Sequence, residues 1–167
     1  MYVEGIAGHK SFHDFIKGKE NQYANTNRKL CDLFGFMFSE KQNVFAEVSE
    51  GYKIKKITYG EAYERVFTLA PAVKNALSNI ERGSIIGFYM NNSPEFIELL
   101  WAILMCGYKP LLLNTRMNQG VLEDLISKYG VKGVIAEGKT FYSATTFNVE
   151  DIINNASRQA DFTPDWE

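Results

Sequence analysis

The feature that most constrains this chain is a series of short apolar runs, separated by helix-patterned segments, between residues 84 and 136. Ser84 to Met90 is apolar with none of the alternation of a half-solvated strand. Such a run marks a strand covered on both faces, as in parallel sheets. Lys109 to Leu113 and Val131 to Ala136 read as two more strands. Between the first two lies Pro94 to Cys106, apolar nearly all round and so expected to be a buried helix. Ser93 is its N-cap, Pro94 suits its first position, and Gly107 ends it. Between the second and third strands, Asn118 to Tyr129 places Leu122, Leu125, Ile126 and Tyr129 on one side, and Gly130 closes it. Strand, helix, strand, helix, strand at this spacing predicts two right-handed crossovers and a parallel sheet. The fold class is α/β, a partial doubly wound parallel sheet (βαβαβ) preceded by a helix and a β-hairpin.

Upstream, residues 1–43 read as a mostly helical lead-in. A short helix is expected around Ser11 to Lys17. A second begins near Thr26 and ends near Ser39, with Leu30, Leu33, Phe34, Met37 and Phe38 as one apolar stripe. Residues 44–57 read as a hairpin. Val44, Ala46 and Val48 alternate with polar neighbours, Ser49-Glu50-Gly51 supplies the turn, and Tyr52 to Ile57 returns. Thr58 with Glu61 is a capping box that opens the α/β core, taken as residues 58–160. Ala62, Val66, Leu69, Val73 and Leu77 form the buried face of the helix that follows. Pro71 lies inside it and removes one backbone hydrogen bond, so a kink or break is expected there. Residues 137–148 read as a loop and Val149 to Ser157 as a final helix with Ile152, Ile153 and Ala156 turned inward. The tail, residues 161–167, reads as a connector.

Charge and composition exclude some functions. A formal net charge of −2 gives no basic footprint for nucleic acid. Lys53, Lys55 and Lys56 alternate with apolar residues and read as a solvated strand face. The most apolar stretch, Phe96 to Tyr108, contains Glu98 and falls short of the roughly 20 residues of a membrane-spanning helix. Cys31 and Cys106 are too isolated for a disulfide framework and have no partner at metal spacing. They are expected to be buried, reduced thiols. With no secretory signal in residues 1–10, the expected location is the cytoplasm. His9 and His13 could share a helix face, but with no further ligand nearby no metal site is expected.

One motif calls for refusal. Gly133-Val-Ile-Ala-Glu-Gly138-Lys139-Thr140 fits the P-loop pattern letter for letter. That chemistry needs a strand before the first glycine, a bare backbone loop around the phosphates and a helix opening at Lys-Thr. Here a helix fills most of the dozen residues before Gly133. Val134 to Glu137 continue an apolar strand, and Phe141 to Phe147 make a poor helix start.

The order of residues from 57 to 136 resembles the adenylate-forming (AMP-binding) superfamily. Ile57-Thr58-Tyr59-Gly60-Glu61-Ala62 is similar to its first core motif, with Ala62 in place of the usual Leu. Asn92-Ser93-Pro94-Glu95-Phe96 is similar to the Asn-Ser-x-Glu step after its first buried strand. Leu104 to Asn114 resembles the second core motif, with Met105-Cys106 where Lys-Ala is usual and Pro110 placed early. Leu122 to Ile135 follows the family's next helix and strand. Leu113-Asn114-Thr115-Arg116 resembles acyl-CoA synthetases more than peptide-synthetase adenylation domains, which favour Asp where Asn114 stands.

The resemblance implies the N-terminal part of the large domain of an AMP-dependent acid–thiol ligase. Such an enzyme converts ATP and a carboxylic acid to an acyl-adenylate and then passes the acyl group to a thiol. ATP, Mg and coenzyme A are implied for the full-length parent and none for this fragment. The family's Ser/Thr/Gly-rich phosphate loop, its aromatic-Gly-x-Thr-Glu motif, its ribose-binding Asp and its C-terminal Lys are not in this sequence. The fragment alone is therefore expected to be inactive, with no catalytic residue of its own. Its expected partner is the missing catalytic half of its own polypeptide, and a homodimer of the fragment is a second expectation. In doubly wound sheets ligands bind outside the carboxyl ends of the strands. Asn91, Asn114 and Arg116 stand at those ends and are candidates to line the cleft. A plainer reading is that they order loops, as Asn routinely does. Three rivals remain: a free-standing flavodoxin-like binding module, a truncated homologue acting as a partner of a synthetase, and the disfavoured P-loop hydrolase.

Overall fold

The computed structural model describes residues 29–166 together with Asp14, Lys17, Gly18, Asn21 and Ala24. The short helix expected around 11–17 falls mostly outside that set, as do His9 and His13. The chain divides into two units, residues 1–39 and 40–167.

In the first unit, α1 spans Leu30–Met37. Its first turn is fastened by the Lys29 N–H, which donates to the Asp32 carboxylate at 3.2 Å. Phe34 and Phe38, one helical turn apart, bring their rings to 4.6 Å. Cys31 is only partly buried, a correction to the expectation of a buried thiol.

The second unit opens with the hairpin, β1 (Val44–Glu50) and β2 (Lys53–Thr58). The ladder runs to the pair Glu50↔Lys53, so the turn is Gly51-Tyr52 rather than Ser49 to Gly51. Gly51 takes φ 63°, the left-handed conformation such a turn requires. A bulge between Val44 and Ala46 breaks the two-residue period there, and Val44 ends up 45% exposed instead of on a buried face.

Thr58 then caps α2 (Tyr59–Ala76). The Glu61 carboxylate accepts the Thr58 N–H at 2.7 Å, while the Glu61 N–H donates to Thr58 Oγ1 at 3.2 Å. Contrary to expectation, α2 runs without a break through Pro71. Pro71 lies in a fully buried run, Leu69 to Val73, and that packing outweighs one missing backbone bond.

The core is a four-stranded sheet of β3 (Ile85–Tyr89), β4 (Lys109–Leu112), β5 (Gly133–Ala136) and β6 (Thr145–Asn148) in the order β4-β3-β5-β6. All three pairings are parallel. Strand β6 lies in the segment expected to be loop, a correction that follows from its parallel pairing with the edge of β5. Helix α3 (Pro94–Met105) links β3 to β4, and α4 (Gln119–Lys128) links β4 to β5. They take opposite faces. Phe88 stacks on Phe96 of α3 at 4.9 Å. Its strand neighbour Tyr89 joins Leu122 and Ile126 of α4 in a separate cluster. Gly87, on the same face as Tyr89, leaves room for Val134 and Leu113, which a Cβ would meet at 3.1 and 3.2 Å. Tyr129 is 48% exposed and does not join the buried side of α4 as its spacing suggests.

Helix α5 (Val149–Asn154) is shorter than the expected 149–157 and packs beside α2. The tail that follows is docked. Asp165 donates its N–H to the Met105 carbonyl at 2.7 Å and pairs with Arg82. Trp166 meets Trp101 edge-on at 6.3 Å, and Arg158 pairs with Glu64. Cys106 is buried. Its thiol donates to the Ala70 carbonyl, and burial, with Lys74 opposing it, pushes the group up to about 12. No helix among the described residues is long and apolar enough to cross a membrane.

Candidate functional site

In a parallel sheet the carboxyl ends of all strands open on one edge, and chain reversal there leaves room for a ligand. A cleft of about 630 Å³ lies at the ends of β3 and β4. It is lined by Asn91 and Asn92 after β3 and by Asn114, Thr115 and Arg116 after β4, over Phe96 and Leu112. The three candidates from the sequence therefore meet at one place.

Two of them also order the loops that carry them. Asn91 donates both its backbone N–H and its side-chain amide to one oxygen of Glu137, each at 3.0 Å. The Asn114 side-chain oxygen accepts the Arg116 N–H at 2.9 Å, which is an Asx turn. Tyr89 donates its hydroxyl to the Thr115 carbonyl at 3.3 Å and ties that loop to β3. The Arg116 side chain is exposed and makes no ion pair with any described residue. Leu112 is 54% exposed and adds an apolar wall. One guanidinium, side-chain amides and an apolar wall can hold and orient a polar or anionic group. They supply neither a nucleophile nor a positioned base.

Topology adds a point that spacing missed. With β4 on one side of β3 and β5 on the other, strand order reverses between β3 and β5. That switch point is the usual ligand crevice. Here Glu137 bridges it, holding Asn91 while its own N–H donates to the Tyr89 carbonyl at 2.9 Å. The open cleft is displaced by one strand. No residue type flags Glu137 in advance, because its role depends on the loop after β3.

The P-loop letters are accounted for by packing. A Cβ on Gly133 would lie 2.6 Å from Ile80 and 2.8 Å from Phe147. The next three residues belong to β5, and no helix opens at Lys139. The Lys139 ammonium lies over the rings of Tyr89 and Phe141, at 5.2 and 5.9 Å. Among the described residues, no three His, Cys, Asp or Glu side chains gather as metal ligands would.

A second polar anchor orders the wall behind α4. Glu123 is buried, and its carboxylate accepts from Gln119 at 2.6 Å, from the Tyr142 N–H at 3.1 Å and from the Ser143 N–H at 3.0 Å. Burial raises its pKa, but the bonds from Ser143, Tyr142 and Gln119 together outweigh that and hold it below the usual carboxylate range. A depressed folded value means that the carboxylate's contribution is present above the unfolded pKa and fades as pH falls through the folded one. Glu123→Gln is expected to cost roughly 1–3 kcal/mol at pH 7, since it disrupts charge-assisted bonds to two partly buried N–H groups. Urea unfolding at pH 7 and at pH 3 checks this, and the difference between variant and wild type should shrink at the lower pH.

Comparison with known proteins gives the context. The model of a family described as AMP-binding enzyme matches residues 39–163. The N-terminal subdomain of Klebsiella oxytoca NpsA superposes with a TM-score of 0.70 at 18% identity, over 83% of this chain and 36% of that one. NpsA in complex with 3-hydroxyanthranilyl-AMSN gives 0.68 at 18% identity, over 85% and 29%. The o-succinylbenzoate CoA synthetase MenE from Bacillus subtilis, in complex with OSB-AMP, gives 0.55 at 16% identity, over 64% and 29%. No curated protein matches. The chain spans about a third of the length of the solved structures it resembles.

Proposed function

Since the chain belongs to the AMP-binding enzyme family, we propose that it forms the N-terminal part of the large domain of an acyl-CoA synthetase-type ligase. In this reading it is scaffold and cleft wall, and the adenylating groups belong to the part of the family architecture that it does not span. The observation that carries the choice of acyl-CoA synthetase over peptide synthetase is Asn114 at the end of β4, where the latter favour Asp.

The residues in hand do not fit the triphosphate of ATP or its Mg²⁺. Gly133 is filled by packing, Lys139 lies on two rings, and among the described residues no three His, Cys, Asp or Glu gather as metal ligands would. Adenylyl transfer needs donors and a metal placed where charge develops, and no such set stands on this sheet. What this chain would do is position. Asn91, Asn114 and Arg116 would hold a polar group of the substrate or of the second half at the cleft rim. The partner is the catalytic remainder of the same polypeptide, which would cover Leu112 and the neighbouring Met117 and Val121, all exposed here. A second copy of the chain would compete for that surface. Reduced thiols at Cys31 and Cys106 support a cytoplasmic setting.

The test is exchange of labelled pyrophosphate into ATP in the presence of a panel of carboxylic acids. The 167-residue chain should show none. The same chain extended in its own reading frame should exchange, and on addition of coenzyme A should form a thioester. Exchange by the 167 residues alone would sink the proposal. Thioester formation only on a carrier protein would move it to the peptide-synthetase branch.

A further inference from the structure

Helices α2 and α3 meet β2 around a pocket of about 320 Å³ that shares no lining residue with the cleft; it is lined by Lys55, Ile57, Glu61, Arg65, Glu95 and Glu98. Glu98 is only 4% exposed, yet no described residue gives its carboxyl a hydrogen bond or ion pair. Most of the side chain is buried, but no oxygen of it is sealed from solvent without a partner, so the carboxyl opens on the pocket and waits there for a partner. Its neighbours do not supply one. Glu61 is engaged with Thr58, at 2.7 Å to the N–H and 2.9 Å to the hydroxyl. Lys55 stands 3.9 Å from Glu50. Arg65, half-buried on α2, makes no ion pair with either glutamate of α3.

The charges around Glu98 are Lys55 from β2, Glu61 and Arg65 from α2, and Glu95 from α3. With every group ionised, the carboxylates outnumber the cations by one. A proton on Glu98 removes that surplus. Burial first, then repulsion from Glu95, with Arg65 opposing both, pushes Glu98 up to about 7. A single added positive charge is the other way to balance the pocket.

We propose that this pocket binds a small alkylammonium group, which takes the place of the Glu98 proton. In the exchange the O–H bond of Glu98 breaks, the proton leaves to solvent, and the ammonium donates to the carboxylate. Glu95, three residues before Glu98 on the same helix face, offers a second acceptor. Ile57 provides an apolar wall for the alkyl stem. A metal ion fits less well, since hard cations want six or so oxygen ligands and the pocket offers few. The volume lies near the lower end of small-molecule sites, roughly 300–1,000 Å³, which suits a stem of a few carbons.

The probe is n-propylammonium chloride, with equal sodium chloride as control. At pH 8 the thermal midpoint should rise by roughly 2–6 °C at about tenfold excess over Kd. Calorimetry in buffers of different ionisation enthalpy should find close to one proton released per ligand at pH 6 and almost none at pH 8.5. Glu98→Gln should lose both effects, and Glu95→Gln should weaken binding several-fold. If Glu98→Gln does not fold, the carbon-13 shift of the wild-type Glu98 carboxyl carries the same information. It should titrate near 7 alone and at lower pH with propylammonium. An equal rise in sodium chloride, an unchanged response in Glu98→Gln, or Arg65 pairing with the ionised carboxylate with no effect of propylammonium would each overturn the proposal.

Discussion

Phe88→Ala is expected to lower the unfolding free energy by about 3–5 kcal/mol. Phe88 is fully buried on β3, the strand that pairs with both β4 and β5. Its ring stacks on Phe96 at 4.9 Å and 23°, and so joins sheet to helix α3. Removing it forfeits buried apolar area, an aromatic contact and the closure of a cavity that a central strand cannot collapse to fill. Urea unfolding should show the midpoint fall with the slope unchanged, whereas Leu112→Ala, at 54% exposed on the outer strand, should stay within about 0.5 kcal/mol. A Phe88→Ala loss below about 1 kcal/mol would mean that β3 is not the middle of the core.

Gly133→Val is the second large effect, with an expected loss of roughly 2–3 kcal/mol and no effect on any nucleotide affinity. The first glycine of the P-loop letters is small because β5 passes close to its neighbours. A Cβ would press on Ile80 at 2.6 Å and Phe147 at 2.8 Å. Ile80 ends in a flexible methyl and can yield, whereas the stiffer Phe147 ring, on β6, must rotate away from its place beside β5. The P-loop reading expects the opposite outcome, with stability spared and phosphate binding destroyed. Thermal unfolding and nucleotide titration of the one variant separate the two.

The central sheet was legible because its signals were local. Ser84 to Met90, Lys109 to Leu113 and Val131 to Ala136 each carry a run of apolar residues, and β3, β4 and β5 lie within them; β3 beyond Ile85 and all of β5 are buried, whereas the outer β4 leaves Lys109 and Leu112 exposed. Two caps were equally readable, since Thr58 and Ser93 each accept a backbone N–H three residues on; the cap at Asn118 went unread. What failed was settled by distant contacts. Strand β6 is four residues long, and Thr145-Thr146-Phe147-Asn148 becomes a strand only because β5 offers an open edge. Pro71 failed to break α2 for a similar reason, being held inside a buried helix face.

The candidate cleft was half legible. Topology places Asn91, Asn114 and Arg116 at strand ends, and the structure brings them to one opening. Glu137, which bridges the switch point, and Tyr89, which pins the loop after β4, gave no sign in sequence. Their roles arise from loops that pass each other only in the folded chain. Glu98 was visible only as a polar residue in an apolar helix, and nothing in the sequence tells that it lacks a partner.

On the proposed function these residues are scaffold rather than a nucleotide site. Calorimetric titration of the 167-residue chain with Mg·ATP tests it most directly. No heat of binding is expected at millimolar nucleotide, with Lys139→Ala indistinguishable from wild type. Saturable binding of ATP that Lys139→Ala abolishes would contradict it.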